Sequence, residues 1–131
     1  VTAKTRPCFC GHNLPYEACC GRFHSGTPEP DAESLMRARY AAYVLLRADY
    51  LLATWHAQTR PPQLDLTTPP QPKWIGLEVK GHDATSADEA RVEFVARYRV
   101  GGRAHRLHEL SRFVREQGRW YYVEAIDHAA S

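Results

Sequence analysis

The stretch RVEFVARYRVGG, residues 91–102, decides the fold. Val92, Phe94, Ala96, Tyr98 and Val100 recur at every second position, with Glu93, Arg97 and Arg99 among the residues between them. A period of two sends successive side chains to opposite faces, so this is a strand with one apolar side. Gly101-Gly102 then offers two adjacent residues that tolerate positive φ, the requirement of a two-residue hairpin turn. The chain is predicted to return from Ala104 to Gln117, turn again at Gly118, and end in a strand from Trp120 to Ile126. Upstream, Trp74 to Lys80 alternates weakly, with Ile75, Leu77 and Val79 on one face, while the polar run Gly81 to Ala90 reads as a loop.

Further upstream the period changes. Asp31 is placed to cap a helix from Ala32 to Ala48, with Glu33 in the favourable first turn. Leu35, Ala38, Ala42 and Leu45 form one apolar stripe on it, and Met36, Tyr40, Tyr43 and Val44 a second, so a wide arc should be buried. Asp49 is expected to cap a short second helix, Tyr50 to Trp55, leaving His56 near its C-terminal end. Gln58 to Lys73 holds five prolines and reads as an irregular crossing, with a brief extended stretch at Leu64-Asp65-Leu66. Helices followed by an antiparallel meander predict an α+β layer arrangement. There is no Gly-rich phosphate loop, HExxH motif, nucleophile elbow or internal repeat.

All four cysteines, Cys8, Cys10, Cys19 and Cys20, fall within thirteen residues, in the run CFCGHNLPYEACC. A tetrahedral zinc ion needs four soft donors close together, and thiolates suit it. Both pairs are tighter than the usual two-to-four-residue spacing, and Gly11 with Asn13-Leu14-Pro15 can turn the chain between them. His12 and His24 are spare donors, either of which could replace a cysteine. Two crossed disulfides, another soft metal or unmetallated thiols are the competing readings; a bond between adjacent Cys19 and Cys20 would be strained. The chain shows no apolar signal segment and begins with the polar VTAKTR, so a reducing, cytoplasmic setting and structural Zn2+ are expected.

A chain of 131 residues fits one ordinary domain with a small appendage. Prolines and glycine in Ser25-Gly26-Thr27-Pro28-Glu29-Pro30 mark the boundary, giving a zinc-binding module at 1–26 and an α+β domain at 27–131. No apolar run approaches the length of a membrane span. The formal net charge is +2, and four thiolates around one zinc ion would cancel it, so nucleic-acid binding is not supported. Arginine supplies 14 of the 17 basic residues, and its rigid fork could serve an anionic ligand, although most such side chains cover solvated faces.

The run Pro7-Cys8-Phe9-Cys10-Gly11, through Tyr16 to Cys19-Cys20-Gly21, resembles the SEC-C motif, a zinc-binding module. The runs Leu35 to Tyr43, Asp49 to His56, His108 to Phe113 and Gly118 to Val123 resemble the YchJ-like bacterial proteins. Together they cover nearly the whole chain. The resemblance implies an NTF2-like fold, a cone of N-terminal helices packed on a curved antiparallel sheet, with a zinc knuckle in front. It also implies that Cys8, Cys10, Cys19 and Cys20 are the four metal ligands.

The fold so implied often holds a pocket, for which the polar candidates are Arg37, Arg39, Tyr40, His56, Glu109, Ser111 and Arg112, walled by Tyr43, Trp55 and Tyr122. Glu109 and Ser111 share a strand side with Leu107 and Phe113, while Arg112 shares the other with His108 and Leu110. One side must face the helices, so a polar group goes with it and must be paired. An ion pair from Glu109 to Arg37 or Arg39, tying sheet to helix, is the expected role; anchoring a ligand and acid–base catalysis are the alternatives. The function expected is an interaction or adaptor module, with a protein partner at a surface around Phe9, Tyr16 and Arg22 and a homo-oligomer through the sheet. The competing reading is small-molecule binding or isomerase/dehydratase-type chemistry in the pocket.

Overall fold

Pairing of adjacent strands through two-residue turns builds a single four-stranded antiparallel sheet. Its strands are β1 (Lys73–Ser86), β2 (Glu89–Val100), β3 (Arg103–Glu116) and β4 (Arg119–Ala130), in the spatial order β1-β2-β3-β4. The computed structural model describes residues 8–11 and 14–130. At the β2–β3 turn Gly101 and Gly102 have φ of 57° and 81°, the left-handed pair that a tight hairpin needs. Gln117 and Gly118 repeat it at the β3–β4 turn with φ of 54° and 78°.

Residues 81–90 do not form the expected loop. β1 continues to Ser86, with Gly81 opposite Glu93 and Ala84 opposite Ala90. β1 is an edge strand whose far half is solvent-exposed, so polar side chains cost nothing there while the backbone still gains a ladder. Register shifts at Trp74/Gly76, Val79/Gly81 and Ala84/Ser86 disturb its alternation, which is why the sequence signal is weak.

Ahead of the sheet lie a 3-10 turn (Tyr16–Ala18) and helices α1 (Cys20–His24), α2 (Ala32–Val44) and α3 (Ala48–Ala53). The Asp31 carboxylate accepts from Ser34 N–H at 2.8 Å and starts α2 as expected. The helix stops at Val44 rather than Ala48. Leu46 takes a φ of 58°, while Arg47 N–H donates to Ala42 O and Leu46 N–H to Tyr43 O. That is a Schellman stop with leucine where glycine is usual, so no sequence signal announces it. α3 begins after Arg47, and Asp49 sits in its first turn against the Arg47 guanidinium at 3.1 Å instead of capping it. Leu64 and Leu66 pack on the core, but their segment is not a strand; Asp65 holds a turn by accepting from Thr67 N–H.

α2 lies against β1, β2 and β4. Leu35 and Leu51 from the helices meet Val92 and Phe113 from the sheet, all without solvent exposure to speak of. The side of β3 carrying Leu107 and Phe113 therefore faces inward, and it takes Ser111, fully buried, and Glu109 with it. The other side is charged: His108 Nε2 meets Glu93 at 2.5 Å, and Arg112 reaches Glu124 at 3.2 Å and Glu89 at 3.5 Å. Beyond α3 the chain pairs with β4, where Tyr122 N–H donates to Thr54 O and His56 N–H to Tyr122 O, each at 2.8 Å.

Because the Asp31 cap starts the helix on which both sites below are built, Asp31→Ala is expected to cost about 1 kcal/mol of unfolding free energy, and Asp31→Asn a few tenths at most. Urea denaturation of the two variants beside the parent chain checks this.

Candidate metal centre and adjoining cavity

The four cysteine sulfurs converge because each pair straddles a change of backbone direction. Cys8 and Cys10 flank a turn closed by Cys8 N–H to Leu14 O at 2.7 Å, and Gly11, with a φ of 97°, carries the chain away. Cys19 ends the 3-10 turn with its N–H on Tyr16 O, and Cys20 opens α1. Between them Cys19 adopts φ −124° and ψ −111°, a bend that lets adjacent side chains aim at one point. All four Sγ atoms lie within 4.8 Å of one another, all four residues are buried, and Cys10 and Cys19 sulfurs are 3.6 Å apart. Four sulfurs around one zinc at about 2.3 Å would be about 3.8 Å apart, so the cluster fits a tetrahedral ion.

The electrostatics of the cluster show what it wants. Hydrogen bonds from Cys10 and Cys20 hold the Cys8 thiol far below the ordinary range. Cys19 is pushed up to about 12, first by burial and then by the Cys10 sulfur. Cys20 is driven up as well, through its bonds to Cys10 and Cys8. One thiolate thus forms at the cost of its neighbours, and a divalent cation is what would allow all four. None of the four is joined in a disulfide.

His24 is not a ligand. Its Nε2 donates to Ala38 O at 2.8 Å, and its Nδ1 receives the Tyr16 hydroxyl at 2.5 Å. Since a carbonyl only accepts, the ring is the neutral Nε2–H tautomer, and burial holds its pKa below the usual value. The other spare donor, His12, lies outside the described residues. Arg37 makes a second tie, donating to Cys10 O at 2.6 Å while Glu33 accepts from its Nε at 3.0 Å. Gly21 packs under Tyr16, where a Cβ would sit 2.8 Å from Tyr16 O and 2.9 Å from the ring. Of the expected partner surface, Arg22 is exposed and lies 4.7 Å over the Phe23 ring, Phe9 is half-buried, and Tyr16 is committed to His24.

Glu29 escaped the sequence reading because it stands between two prolines in what looks like a linker. It is buried and accepts a short hydrogen bond from the Tyr50 hydroxyl, whose ring packs tilted against His24 with centroids 4.6 Å apart. Burial raises its pKa and, with the Glu29 charge, raises that of Tyr50.

On the other side of α2 is a cavity of about 270 Å³. Met36, Arg39, Tyr40 and Tyr43 line it from the helix, Glu109 and Ser111 from β3. Ser111 donates a short hydrogen bond to Glu109. Arg39 is buried; its Nη1 donates to Leu51 O and Thr54 Oγ1, both at 2.8 Å. Its guanidinium carbon lies 5.0 Å from the Trp55 ring and 4.6 Å from the Tyr122 ring. The expected ion pair from Glu109 to Arg37 or Arg39 does not form: Arg37 is held by Glu33 and Cys10, and Arg39 by carbonyl, hydroxyl and aromatic faces. His56 and Arg112 lie away from the cavity. His56 pairs with Glu116 at 2.8 Å and Arg112 belongs to the outer sheet face. Burial pushes the Tyr40 hydroxyl up to about 12 and raises Tyr122.

The profile of the family described as YchJ, middle NTF2-like domain, matches residues 31–125. A UPF0225 protein of Methylibium petroleiphilum is 59% identical over 120 residues, covering 90% of this chain and 86% of its own. One from Xanthomonas campestris pv. campestris is 55% identical over 125 residues, covering 95% and 97%. The solution structure of a SEC-C motif containing protein from Rhodopseudomonas palustris superposes with a TM-score of 0.79 at 33% identity, over 92% of this chain and 97% of that one. The crystal structure of another, from Psychrobacter arcticus, gives 0.71 at 31% identity over 92% and 81%.

Two outcomes follow from this geometry. Gly21→Ala should loosen the knuckle by about 1–3 kcal/mol through the clash with Tyr16, read as a lower Tm and faster metal loss to a chelator. Glu29 has a folded pKa above its unfolded value, so its contribution to stability is full below the unfolded pKa and is lost as pH rises through the folded one. Glu29→Gln keeps an acceptor for Tyr50 and removes that loss. The Tm of the variant minus that of the parent should therefore grow from pH 4.5 to pH 7, as measured by paired thermal melts.

Proposed function

The chain belongs to the YchJ-like UPF0225 family, and from that premise we propose that it is a zinc-braced interaction module carried on an NTF2-like domain. The observation that carries this reading is the closed Cys8, Cys10, Cys19, Cys20 cluster, with four buried sulfurs within 4.8 Å. Four thiolates fill a tetrahedron and leave no position for water or substrate, the mark of a structural rather than a catalytic ion. Sulfur-only donors in this geometry favour Zn2+ over the hard cations. Bound there, the ion would cross-link two turns that bury too little surface to hold themselves.

With residues 1–26 as that module, the exposed Leu14 and Arg22 are the side chains it offers to a protein partner. Cysteines available as thiols suit a reducing compartment, which supports a cytoplasmic location in this reading. Among the described residues no helix is long and apolar enough to cross a membrane. Exposed Ile75 on β1 and Ile126 on β4 are where a second copy would meet the sheet.

Protein purified without chelator should contain one zinc per chain by elemental analysis. Cys10→Ser should lose it, and strong chelation should lower the Tm. Cysteines found oxidised in pairs with no stoichiometric metal would overturn the reading. So would a zinc centre that keeps an exchangeable water.

A further inference from the structure

Opposite charges line the cavity beside α2 without touching. Arg39 and Glu109 both face into this one space, and no ion pair joins them. Arg39 is buried and Glu109 half-buried, and opposite charges held in such a space close on each other unless something else satisfies them. Arg39 is satisfied in part only. Its Nη1 serves Leu51 O and Thr54 Oγ1, while Nε and Nη2 have no hydrogen-bond partner among the described residues. Glu109 takes the Ser111 hydroxyl on one oxygen. Trp55, also in the wall, has its Nε1–H buried without a partner. The cavity thus presents unspent donors at Arg39 and an unspent acceptor at Glu109, among aromatic rings, while the Trp55 Nε1–H is shut off behind the wall.

We infer that this cavity binds a small planar heteroaromatic molecule of no net charge, with a carbonyl or ring nitrogen toward Arg39 and an N–H toward Glu109, as on the edge of a lactam ring. The charge count selects against the alternatives. The formal charges of Arg39 and Glu109 cancel, so an anion would set two negative charges against one positive, and a cation would do the reverse. A quaternary ammonium drawn to the Trp55 and Tyr122 rings would also meet the like charge of Arg39, which lies over both. Trp74 stands apart from that stack. It meets Tyr40 and Tyr43 at centroid distances of 5.7 and 5.9 Å and supplies a flat wall for a ring.

A second hollow adjoins the cavity. Tyr43 and Trp74 line this hollow together with Leu66, Pro70 and Pro72, so the proline-rich segment forms a rim beside the cavity. The cavity is near the small end of ligand pockets, which run about 300–1,000 Å³. That suits a one- or two-ring molecule.

The test uses the full chain loaded with zinc and isotope-labelled on its indole nitrogens. Pterin and 2-quinolinone serve as neutral lactam probes, indole-3-acetate and choline as charged ones. At least one lactam should bind and shift the Trp74 Nε1–H resonance, as a ring seated against that indole does. Glu109→Gln keeps an acceptor for Ser111 and removes the charge. It should weaken that probe about ten- to hundredfold while leaving the thermal melt in place. Failure of both lactams to perturb Trp74 overturns the proposal. So does equal or tighter binding of either charged probe, or an affinity indifferent to Glu109→Gln.

Discussion

A buried guanidinium ties the larger domain together. Arg39 leaves water at a cost of several kcal/mol, about what burying an ion requires even after relaxation, and it is repaid from three elements at once. Leu51 O on α3 and Thr54 Oγ1 just after it take its Nη1, and the rings of Trp55 and Tyr122 take its face. Tyr122 belongs to β4, whose backbone pairs with Thr54 and His56. One side chain on α2 thereby fixes α3, the segment that follows it and the last strand relative to one another. The cavity is the space left beside that arrangement.

The other side of the same helix performs a different task. Arg37 holds Cys10 O and Ala38 O receives His24, so the knuckle is bonded to α2 through two side chains of opposite origin, one from the helix and one from the module. The His24 ring continues into Tyr50, and Tyr50 into Glu29. What reads as a linker is therefore anchored at a buried carboxylate, and metal occupancy and the packing of α2 become linked equilibria.

How much of this is legible in the residues depends on the kind of signal each feature leaves. Alternation in 91–100 and the Gly101-Gly102 turn announce the central hairpin, and the cysteine spacing announces the four-sulfur cluster that could hold a metal. Both rest on local rules of period or ligand type. The end of α2 is invisible because Leu46 occupies the left-handed position that glycine normally marks. The far half of β1 is invisible because an exposed edge strand tolerates polar residues and its register shifts blur the period. The Arg39 network fails for a third reason. Charge pairing is the simplest way to satisfy a buried polar group, so Glu109 is the natural partner on paper. A main-chain carbonyl and two aromatic faces are available only once α3 and β4 are in place.

The spacing of α2 shows why the two sites can share one helix without sharing chemistry. Met36, Arg39, Tyr40 and Tyr43 stand at i, i+3, i+4 and i+7 and look into the cavity. Glu33 and Arg37 stand at i and i+4 on another face, and Arg37 meets the knuckle. No thiol lines the cavity, and its lining group Tyr40 feels the Cys10 sulfur only through space. A closed centre of this kind cannot supply a Lewis acid to a molecule held beside Arg39. What it can do is set the position of α2. In the proposed reading, a partner that grips the knuckle would pull on Arg37 and Ala38, the two residues just before Arg39, and so act on the wall of the cavity through a rigid element rather than through a bond.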